Sequence, residues 1–302
     1  MSLIYITLHR GVVFMSCLHR GAAIKNLPIL DAINTCTKLL MLNLKRTDFV
    51  LTEKIRQLIN LRELKLPSTS DPKRMFEAFS ALLDLTNLKK LHVDDQKSSS
   101  IVKLHTTVDE TSQPVNNTST APMQVISQMT QLIDLTLPSI TPNNLLNELT
   151  RLTSLRVLKI TGKTPDLNHL LSHVSQLRRL AICYSNIDDE QIIHLSKLKY
   201  LQTMDLFGCS QITSVSHVDL PRGLTYVSLA LSKVDDTSLE YISKQLPNLV
   251  NLDLFGCDNI TDAGVRELVN LTQLTTLCVR ALNTKLSPYT AYQFFPWKMK
   301  MY

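Results

Sequence analysis

The sequence predicts an α/β solenoid: short parallel strands stacked into a concave sheet, with helices returning along the convex side. Three observations predict it. A six-residue pattern, L-x-x-L-x-L or a close variant, recurs ten times between residues 39 and 279. The segments between recurrences carry apolar residues three and four apart, the spacing of a helix face. The pentapeptide DLFGC occurs at 205–209 and again at 253–257, 48 residues later, which is two periods of 24. The echo therefore reads as a structural period rather than a duplicated active site.

Bulk composition narrows the function classes. The chain has 302 residues, 44% hydrophobic and 19% charged, enough to bury a sizeable core and unlike a disordered segment. Seven glycines are too few for a typical glycine-rich nucleotide-binding enzyme, and the net charge of +6 points only weakly to nucleic acid. The six cysteines, at 17, 36, 183, 209, 257 and 278, are spaced too widely for a zinc knuckle. Those inside apolar repeat units suit reduced, buried thiols and a cytoplasmic setting. No stretch reaches the ~18 apolar residues of a membrane span. His9 and Arg10 interrupt the apolar N-terminal run, and no basic region precedes it, so it does not read as a signal peptide. The sequons at Asn116, Asn117, Asn259 and Asn270 then carry no meaning.

Taken in order, residues 1–38 read as an N-terminal cap with one strand in LIYITL at 3–8. The repeat array spans 39–285 in about ten units, beginning LLMLNL (39–44), LRELKL (61–66), LKKLHV (88–93) and LIDLTL (132–137). It continues LRVLKI (155–160), LRRLAI (177–182), LQTMDL (201–206), LTYVSL (224–229), LVNLDL (249–254) and LTTLCV (274–279). Starts are 22–27 residues apart except for one gap of 44. The array resembles the leucine-rich repeat family. One unit cannot bury its own apolar face, so stability comes from stacking. The segments DDEQIIHLSKL (188–198), DDTSLEYISKQL (235–246) and TDAGVRELVNL (261–271) each open with Asp or Thr as a helix N-cap, and TPNNLLNELTRL and DLNHLLSHVSQL follow the same pattern. Outer helices of this kind bend a stack into a horseshoe of the ribonuclease-inhibitor-like type. LDLFGCDNITDAGV resembles the cysteine-containing repeats of F-box proteins.

By that resemblance the ninth residue of a unit fills the tight corner after the strand. Cys209 and Cys257 occupy it in two units, and Ser185, Ser232, Thr47 and Thr69 in others, so the cysteines are structural. The 44-residue gap holds a polar insertion, 94–124, rich in Ser, Thr, Asn and Asp, which reads as a tolerated loop or a recognition loop. The aromatic tail 286–302 reads as a C-terminal cap shielding the open core edge. The chain has no P-loop, GxGxxG, HExxH or GxSxG. His169 and His173 lie one helical turn apart and would need a third ligand to hold a metal; the simpler reading is an exposed helix face. No enzyme activity, cofactor or metal is expected.

The outward side chains of the strands are the informative surface, because leucines at alternate positions point inward. Lys65, Lys90, Arg156, Lys159, Arg178 and Arg179 make its first two-thirds basic, whereas Tyr184, Asp205, Phe207, Tyr226, Asp253 and Phe255 make the last third acidic and aromatic. Aromatic rings beside charges are what protein-binding hot spots use. Lys159, Arg179, Tyr184, Asp205, Phe207, Tyr226, Asp253, Phe255 and Arg280 are the candidate partner-binding residues; the bland alternative has Phe207 and Phe255 folding down over the core rim. The resemblance implies a monomeric, noncatalytic module that binds another protein through its concave face. Finer versions are an inhibitor covering an enzyme's active site, and an effector of the kind bacteria deliver into a host cell's cytosol. The alternative is a substrate-recognition adaptor for ubiquitin ligation, against which stands the lack of a recognisable F-box. Nucleic acid and membrane are not expected partners.

Overall fold

The computed structural model describes residues 4–9, 12–17, 38–44, 53–66, 79–93, 121–137, 148–162 and 167–279. Expectations placed on Arg280, Thr47, Thr69, residues 94–120 and the tail 286–302 lie outside them. The chain divides into two compact units, Met1–Pro138 and Ser139–Tyr302.

In unit 1, β1 (Ile4–His9) and β2 (Val12–Cys17) form an antiparallel pair. From β2 onward the pairing is parallel and sequential, through β3 (Met41–Asn43), β4 (Glu63–Leu66), β5 (Lys90–Val93) and β6 (Asp134–Leu137). The described returns are short: 3-10 turns at Glu53–Gln57 and Phe79–Asp84, and the helix α1 (Ala121–Gln128).

Unit 2 contains β7 (Val157–Thr161), β8 (Arg179–Cys183), β9 (Thr203–Asp205), β10 (Tyr226–Ser228), β11 (Asn251–Asp253) and β12 (Thr276–Cys278). Each is parallel to the next. Its returning α-helices among the described residues include α2 (Asn168–His173), α3 (Asp189–Ile192), α4 (Asp236–Gln245) and α5 (Asp262–Glu267). Among the described residues, no helix is long and apolar enough to cross a membrane.

The leucine pattern does what its spacing demands. The first, fourth and sixth residues of a unit, such as Leu177, Leu180 and Ile182, point inward and are buried. Stacked coils place like residues side by side, and the core becomes a continuous ladder. Each strand is entered through a shared carbonyl: Arg156 O accepts from the N–H groups of Arg178 and Arg179, Arg178 O from Gln202 and Thr203, and Gln202 O from Thr225 and Tyr226.

Three helix starts follow the N-cap expectation. Asp188 and Asp235 accept from the N–H of Gln191 and Ser238, the former completing a capping box, and Thr261 accepts from Ala263 N–H. α2 departs from it: it begins at Asn168 with no side-chain cap. The coil between β9 and β10 has no helix at all. Val215, Val218 and Leu220 fill that layer instead, and the Tyr241 hydroxyl from α4 donates to Val218 O.

Candidate functional site

The register of unit 2 sorts its outward side chains into rows. The middle row runs Lys159, Ala181, Asp205, Ser228, Asp253, Cys278. Beside it run Val157, Arg179, Thr203, Tyr226, Asn251 and Thr276. Just past the strand ends come Phe207, Ala230 and Phe255. Parallel strands lie ~4.8 Å apart, so Asp205 and Asp253, two strands apart, are separated by roughly 10 Å, with Tyr226 on the strand between them. Lys159 is four strands from Asp253, roughly 19 Å. The sequence-chosen residues therefore divide into an exposed cationic end, Lys159 and Arg179, and an acidic, aromatic stretch over β9–β11.

The recurring DLFGC is explained by its Asp and its Gly. Asp205 Oδ1 accepts from the N–H of Phe207 at 3.2 Å, and Asp253 Oδ1 from that of Phe255 at 3.0 Å. These are Asx-type turns that end the strand and set each carboxylate in one orientation. The next residue enters the left-handed region in every described coil from Gly162 to Gly256: φ is 100° at Gly162, 55° at Tyr184, 75° at Gly208, 58° at Leu231 and 71° at Gly256. The N–H of this residue reaches the next coil: Gly162 donates to Cys183 O at 2.7 Å, Tyr184 to Phe207 O at 2.7 Å, Gly208 to Ala230 O at 2.8 Å and Leu231 to Phe255 O at 2.7 Å.

Glycine and a large residue thus alternate at this corner. The reason is visible at one pair: a Cβ on Gly208 would lie 2.7 Å from the Tyr184 ring. Tyr184 leans over the following coil, meets Phe207 edge-to-face at 5.1 Å between ring centres, and leaves room there only for glycine. Tyr184 thus calls for glycine at position 208, and the alternation of Gly162, Tyr184, Gly208, Leu231 and Gly256 runs in step with the return of the pentapeptide on every second coil. Tyr184 and Leu231 hold a backbone conformation that costs a non-glycine residue about 1–2 kcal/mol.

The two phenylalanines are half-buried, so neither is sealed into the core nor fully displayed. Tyr184 and Tyr226 are half-buried as well. Burial pushes the Tyr226 phenol upward, and the carboxylates of Asp205 and Asp253 push the same way.

The corner cysteines are structural in the manner expected. Cys209 Sγ donates to Ile182 O at 3.1 Å and Cys257 Sγ to Leu229 O at 3.1 Å, each tying one coil to the preceding one. Ser185 accepts from Ile187 N–H at 3.3 Å, and the Ser232 hydroxyl lies 3.6 Å from Cys257 Sγ. Burial pushes the Cys209 thiol up to about 11; burial, with the Asp205 charge behind it, pushes Cys183 up to about 12. Such thiols stay protonated at neutral pH and are poor nucleophiles. Cys183, Cys209, Cys257 and Cys278 form no disulfide. His169 and His173 are exposed and stacked on each other, His173 Nδ1 lies 2.7 Å from His169 O, and among the described residues no group of three or more potential ligands could hold a metal.

The basic stretch expected earlier in the chain is partly neutralised. Lys65 Nζ lies 2.7 Å from one carboxylate oxygen of Glu63, and Lys90 Nζ lies 3.7 Å from the other. Burial works to raise the Glu63 carboxyl, but the Lys65 bond and the charges of Lys65, Lys90 and His92 outweigh it and hold the group below the ordinary glutamate value. His92 in turn lies 3.9 Å from Asp134 and hydrogen-bonds the Thr136 hydroxyl at 2.9 Å. The sequence pattern sets Lys65 and Lys90 on one face, but their pairing with Glu63 appears only in the structure. The left-handed corner has one local signal in the sequence, the Asp two residues before each Phe.

An internalin, inlF, from Listeria monocytogenes superposes with a TM-score of 0.52 over 96% of this chain and 86% of its own, at 15% identity. The likeness is one of fold. It gives the chain the fold of leucine-rich repeat α/β solenoids. Internalin C2 from the same species matches at 0.47 and 19% identity, covering 73% of this chain and 83% of its own. A leucine-rich repeat protein from Leptospira interrogans matches at 0.49 and 17% identity, covering 89% of this chain and 67% of its own. No protein-family model matches the chain, and its sequence matches none of the curated proteins.

Proposed function

We propose that the chain is a noncatalytic protein-binding repeat module that engages its partner with the sheet face of unit 2, over β9–β11. The observation that carries this reading is the edge-to-face pair of Tyr184 and Phe207, half-buried at the rim and built on a strained backbone beside the row of Asp205 and Asp253. Strain retained at an aromatic residue where glycine would fit freely marks a functional position. Half-exposed rings lose water readily, and the fixed carboxylates orient what binds. The protonated thiols give no support to a nucleophile. Buried free cysteines fit a reducing, cytoplasmic setting.

Phe255→Ala tests the reading. It should weaken partner binding by roughly 1–3 kcal/mol while leaving the urea unfolding midpoint within experimental error. Affinity capture with wild type and a Phe207→Ala/Phe255→Ala variant, both checked by circular dichroism, should show a protein lost only from the variant. If folding and binding fall together, Phe255 belongs to the core and the reading fails. Assaying the captured protein's own activity then separates an inhibitor that covers an active site from a scaffold or adaptor.

A further inference from the structure

We propose that the partner segment seated on this face is basic, with Asp205 and Asp253 each receiving a lysine or arginine side chain across the Tyr226 ring. The inference rests on the reading of this face as the interaction surface and names the chemistry of its occupant.

Three observations converge on it. Each carboxylate is held in position by a backbone N–H, to Phe207 or to Phe255, so no side-chain ordering remains for a partner to impose. Among the described residues no Lys, Arg or His forms an ion pair with Asp205 or Asp253; the residues directly opposite them are the neutral Ala181, Ser228 and Cys278, and Arg179 is diagonal to Asp205. Ser228 stands directly between the two carboxylates, and two residues back on the same strand is the half-buried Tyr226, near enough for both charges to act on its phenol, with a ring face that suits a desolvated cation. Charge complementarity accordingly selects a cation. Lys159 and Arg179, on β7 and β8, exclude one from that end and confine it to β9–β11. An extended segment crossing the strands presents same-face side chains about every 6.8 Å, and long flexible Lys or Arg stems close the remaining gap to roughly 10 Å.

The test uses the full chain and two labelled octapeptides, one alternating arginine with glycine and the other glutamate with glycine, titrated by fluorescence anisotropy. The chain carries a net charge of +6, so overall charge works against the arginine peptide and only a local site draws it. Wild type is expected to bind the arginine peptide, and Asp205→Asn/Asp253→Asn to bind it at least tenfold more weakly. Asparagine keeps the oxygen that accepts the turn N–H, and circular dichroism checks that the fold persists. Lys159→Gln should bind at least as tightly as wild type. Equal binding by wild type and the double asparagine variant, preference for the glutamate peptide, or no binding to wild type at millimolar peptide would each overturn the proposal. A captured protein partner lost with Phe207→Ala/Phe255→Ala but kept by Asp205→Asn/Asp253→Asn also overturns it, while leaving the interaction reading standing. A partner indifferent to both variants removes both.

Discussion

The sheet faces of the two units use their charges differently. In unit 1, Glu63 sits between Lys65 on its own strand and Lys90 on the next, and Asp134 faces His92. The charges satisfy one another, and the Glu63 carboxyl is held low as a result. In unit 2 the carboxylates of Asp205 and Asp253 stand beside small neutral neighbours and are engaged by backbone N–H groups. The repeat architecture is the same; what differs is which residue the register sets alongside each carboxylate. A charged residue on such a face is spent internally or kept for a partner according to its cross-strand neighbours, not according to its position in the repeat.

The largest effect on this contrast should come from breaking the aromatic corner of unit 2. Gly208→Ala meets both the left-handed backbone and the Tyr184 ring and is expected to destabilise by about 2–3 kcal/mol in urea unfolding. In a Tyr184→Gly background the same change should cost only about 1 kcal/mol, because the backbone penalty alone remains. Equal costs in the two backgrounds would refute the explanation offered for the alternating corner.

Glu63→Gln should have a smaller effect, about 1–2 kcal/mol at neutral pH, because it leaves two lysines without their counter-charge. Its pH dependence sharpens the comparison. Since the folded chain holds this carboxyl below its ordinary 4.5, the stabilisation is complete above that value and is lost as pH falls through the lowered one. Unfolding followed from pH 7 to pH 3 should therefore show a shallower acid-side decline for Glu63→Gln than for wild type. The smallest effect is chemical: with iodoacetamide at pH 8, peptide mapping should find Cys183 and Cys209 the slowest and half-buried Cys278 the fastest of the four cysteines of unit 2.

Much of the fold was readable along the chain, because burial at period two inside a 22–27-residue repeat is a local pattern. Leu180, Leu252 and their counterparts announce their strands, and Asp188, Asp235 and Thr261 announce their helices. The coil after β9 was less readable, since apolar residues at Val215, Val218 and Leu220 fill a layer without forming a helix. The residues of the candidate site could be chosen from the sequence, but not their relations. Nothing local says that Lys90 reaches back to Glu63, 27 positions earlier, or that Tyr184 overlies Gly208, 24 positions later.

By itself the sequence determined the period, the inward leucines and the caps, all of which depend on residues within one coil. Only the tertiary structure decided which carboxylates are neutralised and that Tyr184 leaves room only for glycine at position 208. Those outcomes depend on contacts between coils, where a shift of register by one residue would turn each side chain to the other face.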